Sequence, residues 1–319
     1  MPTVDMPLEK LKVYQGVNPR PADFDEYWDK ALAEMNAIDP TPTFTPYPFA
    51  SKIADCFELR FRSTKGATVY AKFVRPKKIE GRIPAVLHFH GLSGSSDSWK
   101  ALMSYASQGF CVASMDCRGQ GGFSEDVGGQ SGTTFSTPFS RGLDGDPQEL
   151  LCRDLFLDTA MLAKIVMGLD YVDECRVGSF GGSQGGGLTL ACAALVPTLK
   201  LCAPTYPYLS DYKRVWDMDL AKGAYEGIRY YFRSCDPRHE REYEVFEKLG
   251  YIDVQYLAPR IRAKVLMGTG LMDTTCPPST QFAAYNKITS EKQMCIYPDF
   301  GHENLKGHDD IVFNFLAEL

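Results

Sequence analysis

The segment RVGSFGGSQGGG, from Arg176 to Gly187, places one serine, Ser183, between Gly181 and Gly185 in a run of six glycines over twelve residues. A phosphate cradle in such a run needs a lysine followed by Ser or Thr, and a dinucleotide turn needs Gly-x-Gly-x-x-Gly with an acidic residue further on. The lysine is missing. Gly-x-Ser-x-Gly asks instead for a strand leading in and a helix leading out, so that a strained turn lifts the serine Oγ above a sheet. CRVGSF reads as the strand, and Leu188, Ala191, Cys192 and Leu195 recur at helical spacing before Pro197. Gly181 and Gly185 are then small because strand and helix converge beneath Ser183, the expected nucleophile of an acyl transfer.

A serine hydroxyl attacks only when a histidine takes its proton and an acid holds that histidine in the right tautomer. On a sheet with this turn the three follow in the order Ser, Asp, His, at the C-terminal ends of later strands. Five histidines are available. His88 and His90 precede the serine, His239 lies in a charged stretch, and His308 opens the last helical pattern as a solvated end residue. His302, in YPDFGHE directly after the strand pattern KQMCIYP, is the expected base. Asp273, in LMDTTCPP after the buried strand AKVLMGTG, is the expected acid; Asp299, three residues before His302, ranks second because it would have to fold back. Asp116 ends an earlier strand and is expected to order its loop through the backbone or Arg118.

A tetrahedral oxyanion needs two preorganised N–H donors. Gln184 supplies one, and Leu92 in HFHGLSG the other, with Gly91 letting the backbone turn closely. Cys276, three residues beyond Asp273, is either a wall of the acyl pocket or a buried structural thiol. No cofactor and no metal is expected, and chelators should leave activity intact, since no cluster has metal-ligand spacing.

These residues need a frame. IPAVLHFHG precedes SWKALMSYASQ, FCVASMD precedes LLCRDLFLDTAMLAKIVMGL, and CRVGSF precedes LTLACAALV; AKVLMGTG and KQMCIYP each precede a further helical pattern. Short apolar runs alternating with helices predict an α/β fold around a mainly parallel sheet. Residues 206–259, rich in tyrosine and charge with helical spacing, predict a helical cap. An N-terminal extension, about 1–48, carries one amphipathic stretch, ADFDEYWDKALAEMNAI, expected to pack on the sheet flank. The Gly/Ser-rich stretch 118–149 is patternless, and reads either as a functional or interface loop or as a surface excursion. The whole, 1–319, is expected to form a single domain.

Of the 319 residues 44% are hydrophobic and 23% charged, and the formal net charge is -6, without a long Lys/Arg run. No electrostatic footprint for nucleic acid or an anionic membrane follows, and no apolar run reaches membrane-spanning length. The first residues, MPTVDMPLEKLKVYQGVNPRP, show neither the basic n-region nor the unbroken apolar h-region of a secretory signal, and the ten cysteines occur singly without a Cys-x-x-Cys pair. A cytoplasmic protein with reduced thiols is expected.

With these residues in view, RGQ at Arg118 to Gln120, GGSQGGG around Ser183, GLMDTTCPPSTQFAAYN around Asp273 and YPDFGHE around His302 resemble the acetyl xylan esterase and cephalosporin-C deacetylase family, carbohydrate esterase family seven. The likeness extends to PLEKLKVYQGVNPRPADFDEYWDKAL and RGLDGDPQELLCRDLFLDTAMLAKIV, nearly the whole chain. The resemblance implies an α/β-hydrolase fold and removal of O-acetyl groups from xylo-oligosaccharides and cephalosporin-type esters through an acetyl-enzyme. It also implies a cytoplasmic homohexamer, with Arg118 and Gln120 as supports of the active-site loops. Two departures stand out. Leu92 replaces an aromatic residue common after HG, and DMDLAKGAYEG lacks a proline that members often carry. Rivals are other acyl esterases and thioesterases of the same fold, for which a non-carbohydrate substrate would speak, and a non-catalytic binding protein, which would have lost a triad member.

Overall fold

The structure is a computed structural model that describes residues 4–128 and 137–319. Among these residues one nine-stranded sheet forms the centre, from β1 (Thr43–Tyr47), β2 (Ala54–Arg62), β3 (Thr68–Pro76), β4 (Ile83–Phe89), β5 (Cys111–Met115), β6 (Val172–Gly182), β7 (Leu201–Thr205), β8 (Lys264–Gly270) and β9 (Lys292–Tyr297). The order is β1-β2-β3-β5-β4-β6-β7-β8-β9. The last six in that order are parallel, as the alternation of runs and helices predicts; β1, β2 and β3 add an antiparallel flank, and β7 a further parallel strand, that the sequence patterns did not show.

The parallel strands are apolar runs because helices cover both faces. On one side the helix Leu151–Met167 is almost wholly buried, and the helix Gln184–Leu195 is buried along its entire length. The amphipathic stretch near the N-terminus becomes the helix Phe24–Asn36, whose Trp28 stacks on Phe156 at 5.8 Å, so it packs on the helix Leu151–Met167 outside the sheet. On the other side the helices Trp99–Ala106 and His308–Leu316 close a second core.

The chain reverses its direction of travel across the sheet at β4, with β5 on one side and β6 on the other. Ligand sites of open parallel sheets lie beyond the carboxyl ends of the strands at such a switch. Between β7 and β8 rise the cap helices Tyr212–Asp217, Glu226–Cys235, Glu242–Gly250 and Val254–Leu257. The patternless stretch is anchored to this cap. Phe139 packs against Tyr208, Tyr212 and Tyr225, Tyr231 donates to Asp144 at 2.9 Å, and the Lys248 ammonium donates to the carbonyls of Leu143 and Gly145. Residues 129–136 of that stretch lie outside the described residues.

The N-terminal segment runs over the cap and the C-terminal half as a strap. Asp5 accepts from Ser279 N and the Arg214 guanidinium, both at 2.7 Å. Tyr14 donates to Asp211 at 2.8 Å, and Asn286 donates to the carbonyls of Leu11 and Tyr14.

Candidate active site

Strand β6 ends in Gly182, and Ser183 follows with φ 56° and ψ -120°, a conformation that side chains rarely adopt. Close packing enforces the turn. A Cβ at Gly185 would overlap the Phe89 carbonyl oxygen, and one at Gly181 would stand 2.8 Å from the backbone of Gly185. Strand β6 and its following helix thus converge onto β4 beneath Ser183, as the two flanking glycines require.

The expected base and acid meet there. His302 Nε2 is 2.9 Å from Ser183 Oγ, and His302 Nδ1 is 2.8 Å from Asp273 Oδ2. Asp273 is fully buried after β8, and its other oxygen, Oδ1, accepts from the backbone N–H groups of Thr275 and Cys276, each at 2.8 Å. A carboxylate is an acceptor only, so Nδ1 of His302 carries the ring proton and Nε2 is bare to accept from the serine hydroxyl. Asp299 is exposed, without a bond to His302. Tyr206, at the end of β7 with φ 34°, lays its ring 4.7 Å from that of His302. Sequence patterns missed it because they did not show β7 (Leu201–Thr205), the strand it follows.

The other histidines stand apart. His88 is bonded to Ser114 Oγ within the sheet, and His239 stacks on Phe232 in the cap. His308 does open the last helix, but it is buried against Gly268 rather than solvated, a correction to the expectation for a helix end.

Neither the N–H of Leu92 nor that of Gln184 has an acceptor among the described residues. Gln184 opens its helix, where N–H groups have no intrahelical partner. Gln120 ties the two loops together. Its Oε1 accepts from Ser93 N at 2.8 Å and from Gln184 Nε2 at 3.0 Å, while its Nε2 donates to Gln184 Oε1 at 2.9 Å. Arg118 lies one step deeper, buried and paired through two nitrogens with Asp158 at 2.6 and 2.7 Å, and it also donates to the Thr64 carbonyl. Asp116 bonds backbone, accepting from the N–H groups of Ser96 and Phe123, rather than Arg118.

Cys276 is fully buried. Burial and the nearby Asp273 charge push its thiol well above the ordinary range, and a hydrogen bond with the Ser183 side chain acts the other way. It is therefore a neutral thiol in contact with the serine. Asp273, Cys276 and His302 offer ligand atoms within 4.8 Å of one another. The carboxylate and imidazole of that trio are already bonded to each other, so the donor set is that of a proton relay. Beside the Gly91–Leu92 loop opens a cavity of about 580 Å³, lined by Leu92, Ser93, Gln120, Gly121, Asp126 and Arg141 among others.

A polarised serine, a histidine of fixed tautomer, a buried acid and two free N–H groups can together carry acyl transfer. Comparison with known proteins points the same way. The family model described as acetyl xylan esterase (AXE1) matches residues 1–319. The chain is 54% identical to acetyl xylan esterase 1 from Thermoanaerobacterium sp. JW/SL YS485, with a TM-score of 0.97 over 98% of this chain and 99% of that one. It is 32% identical to an acetyl xylan esterase from Paenibacillus sp. R4, with a TM-score of 0.93 over the same shares. The acetyl esterase Axe7A of Xylanibacter ruminicola is 27% identical over 306 residues, 91% of this chain; the chain spans 64% of that relative's length.

Proposed function

Because the chain belongs to the acetyl xylan esterase family, whose members are carboxylic ester hydrolases, we propose that it removes O-acetyl groups from small acetylated sugars, xylo-oligosaccharides above all. The observation that carries this reading is the continuous chain from Ser183 Oγ through His302 to Asp273, with bonds of 2.9 and 2.8 Å. Ser183 Oγ attacks the acetyl carbonyl carbon while His302 Nε2 takes the hydroxyl proton. Asp273 stabilises the imidazolium without taking the proton itself. The N–H groups of Leu92 and Gln184 receive the oxyanion, the C–O bond to the sugar breaks, and His302 returns its proton to the departing alkoxide. Water then repeats the sequence on the acetyl-enzyme, releasing acetate.

Gly91, Leu92 and the Cys276 thiol wall the acyl group in this reading, which favours acetyl over longer chains, and the cavity beside Leu92 takes the alcohol. The same division between a tight acyl side and an open alcohol side suits the acetate ester of cephalosporin C. We further infer a cytoplasmic protein and, from its family membership, a homohexamer. All ten cysteines are free, as in a reducing compartment, and among the described residues no helix is long and apolar enough to cross a membrane.

Acetate release from acetylated xylo-oligosaccharides by the wild type and by Ser183→Ala tests the reading. Release that vanishes in the variant is expected. A wild type that cleaves a small aryl acetate but leaves the sugar acetates intact would remove the carbohydrate substrate and retain the esterase.

A further inference from the structure

His90, set aside as a base because it precedes the serine, sits one residue before the loop that holds Gly91 and Leu92. Its ring is buried and contacts that loop and the loop after β5 at once. The backbone N–H of Cys117 donates to His90 Nε2 at 2.9 Å. A backbone amide can only donate, so Nε2 is unprotonated, and in the neutral ring the proton resides on Nδ1. Nδ1 is 2.7 Å from the Gly91 carbonyl oxygen and therefore donates to it. Burial lowers the His90 pKa, against opposing effects of the Gly91 bond and the Asp116 charge, which keeps the ring neutral.

The Gly91 carbonyl is one half of the peptide unit whose other half is the N–H of Leu92. No peptide bond described is cis, so the two point in opposite directions. The N–H of Gly94 also donates to Gly91 O, at 3.0 Å. With both donors on one side, the carbonyl is held toward His90 and the N–H is turned the other way. Gly91 is a direct neighbour of the nucleophile: a Cβ placed on it would be 3.9 Å from Ser183 Cβ.

We propose that His90 is a positioning residue for the ester hydrolysis, its Nδ1–H fixing the Gly91–Leu92 peptide plane so that the Leu92 N–H meets the oxyanion formed at Ser183. The assignment rests on the Ser183 acyl-transfer reading. It separates the two ring nitrogens by role. Nδ1 orients the oxyanion donor, and Nε2 pins the Cys117 backbone.

The two nitrogens can be imitated one at a time. In His90→Asn the side-chain NH₂ takes the place of Nδ1 and still donates to Gly91 O, while the acceptor for Cys117 is lost. In His90→Gln the side-chain oxygen takes the place of Nε2 and still accepts from Cys117, while the donor to Gly91 is lost. Removing an oxyanion donor outright costs roughly a hundredfold to a thousandfold in rate, so a loosened donor should cost roughly tenfold to a hundredfold. On an aryl acetate, His90→Gln is expected to lose that much in kcat with KM within about twofold, and to bind a trifluoromethyl ketone, which forms a tetrahedral adduct on serine, more weakly by the same factor. His90→Asn is expected to stay within about fivefold of wild type in both.

Equal losses in the two variants, a His90→Gln enzyme with unchanged kcat, or an effect on KM alone would overturn the assignment. Thermal unfolding establishes that each variant is folded. Should His90→Gln not fold, His90→Asn decides alone, since a failure to fold there, or a kcat loss beyond about fiftyfold, contradicts a role carried by the Gly91 donor. A wild type that leaves the aryl acetate intact, or a Ser183→Ala variant that cleaves it equally fast, would instead refute the acyl-transfer reading.

Discussion

Replacing Asp273 by asparagine changes one atom in kind and almost none in position, and the structure dictates which way the amide will face. Oδ1 accepts two backbone N–H groups at 2.8 Å, from Thr275 and Cys276. Turning an NH₂ toward them would leave buried donors bare, at a cost of about 1–3 kcal/mol each. The asparagine oxygen therefore stays with Thr275 and Cys276, and its NH₂ takes the Oδ2 position, facing His302 Nδ1. That nitrogen must then accept, so the ring proton moves to Nε2, where it meets Ser183 Oγ and blocks proton transfer. Holding the wrong tautomer costs about 10⁴ in kcat in a serine protease, equivalent to about 5.4 kcal/mol. The same loss is expected here, with KM little changed because Asp273 sits behind the histidine. Steady-state hydrolysis of an aryl acetate by folded Asp273→Asn measures it, and the exposed Asp299 serves as control, with Asp299→Asn within about twofold of wild type. An Asp273→Asn enzyme keeping more than about a tenth of its kcat, or an Asp299→Asn enzyme matching its loss, would refute the reasoning.

Gly185→Ala drives a methyl group into the Phe89 carbonyl, and a loss of about 3 kcal/mol or more in urea unfolding is expected, together with loss of activity as the serine turn opens. Arg118→Met leaves the buried Asp158 without its cation; a loss of about 3–5 kcal/mol is expected, most of it recovered in Arg118→Met with Asp158→Leu, and an additive double variant would rule out the coupling. Burial holds His88, His90 and His308 below the ordinary histidine pKa, His88 at about 4. At these rings the unfolded chain binds more protons below about pH 6.5, whereas the buried carboxyls of Asp158, Asp211 and Asp253, the last raised to about 7, act the other way; the histidine share should therefore show as a urea midpoint that falls more steeply from about pH 6.5 toward about 4 in the wild type than in His88→Asn, and equal slopes would contradict it.

What the sequence disclosed depended on how far apart the deciding residues lie. Ser183 was legible because its turn is local: strand, glycine, serine, glycine and helix follow one another between Val172 and Leu195. Asp273 and His302 were legible because strand order and chain order agree at β8 and β9. The antiparallel flank was not, since Pro46 interrupts β1 and the partly exposed residues of β2 show no clean alternation. His308 was misread because a helix start is usually wet, and only the fold reveals that Gly268 makes room for its ring. Tyr206 and His90 carried no motif. Their parts follow from which carbonyl or ring they face, a relation between chain segments that no spacing encodes.

The strap and the triad also set an order of events in time. Asp5 waits for a partner 274 residues further along the chain, Tyr14 for one 197 residues on, and Ser183 for a base 119 residues on. At synthesis rates of roughly 5–20 residues per second, that last interval is roughly 6–24 seconds, during which the serine turn can exist without its histidine. Contacts between such distant segments form late, because loop closure must come first. Until His302 has been made, Ser183 in the nascent chain has no base and is chemically inert, while the core around β4 to β6 still lacks its C-terminal partners Leu266, Val312 and Leu316. Reactivity arrives only with His302, made after the strap's own partners Asp211, Arg214, Ser279 and Asn286.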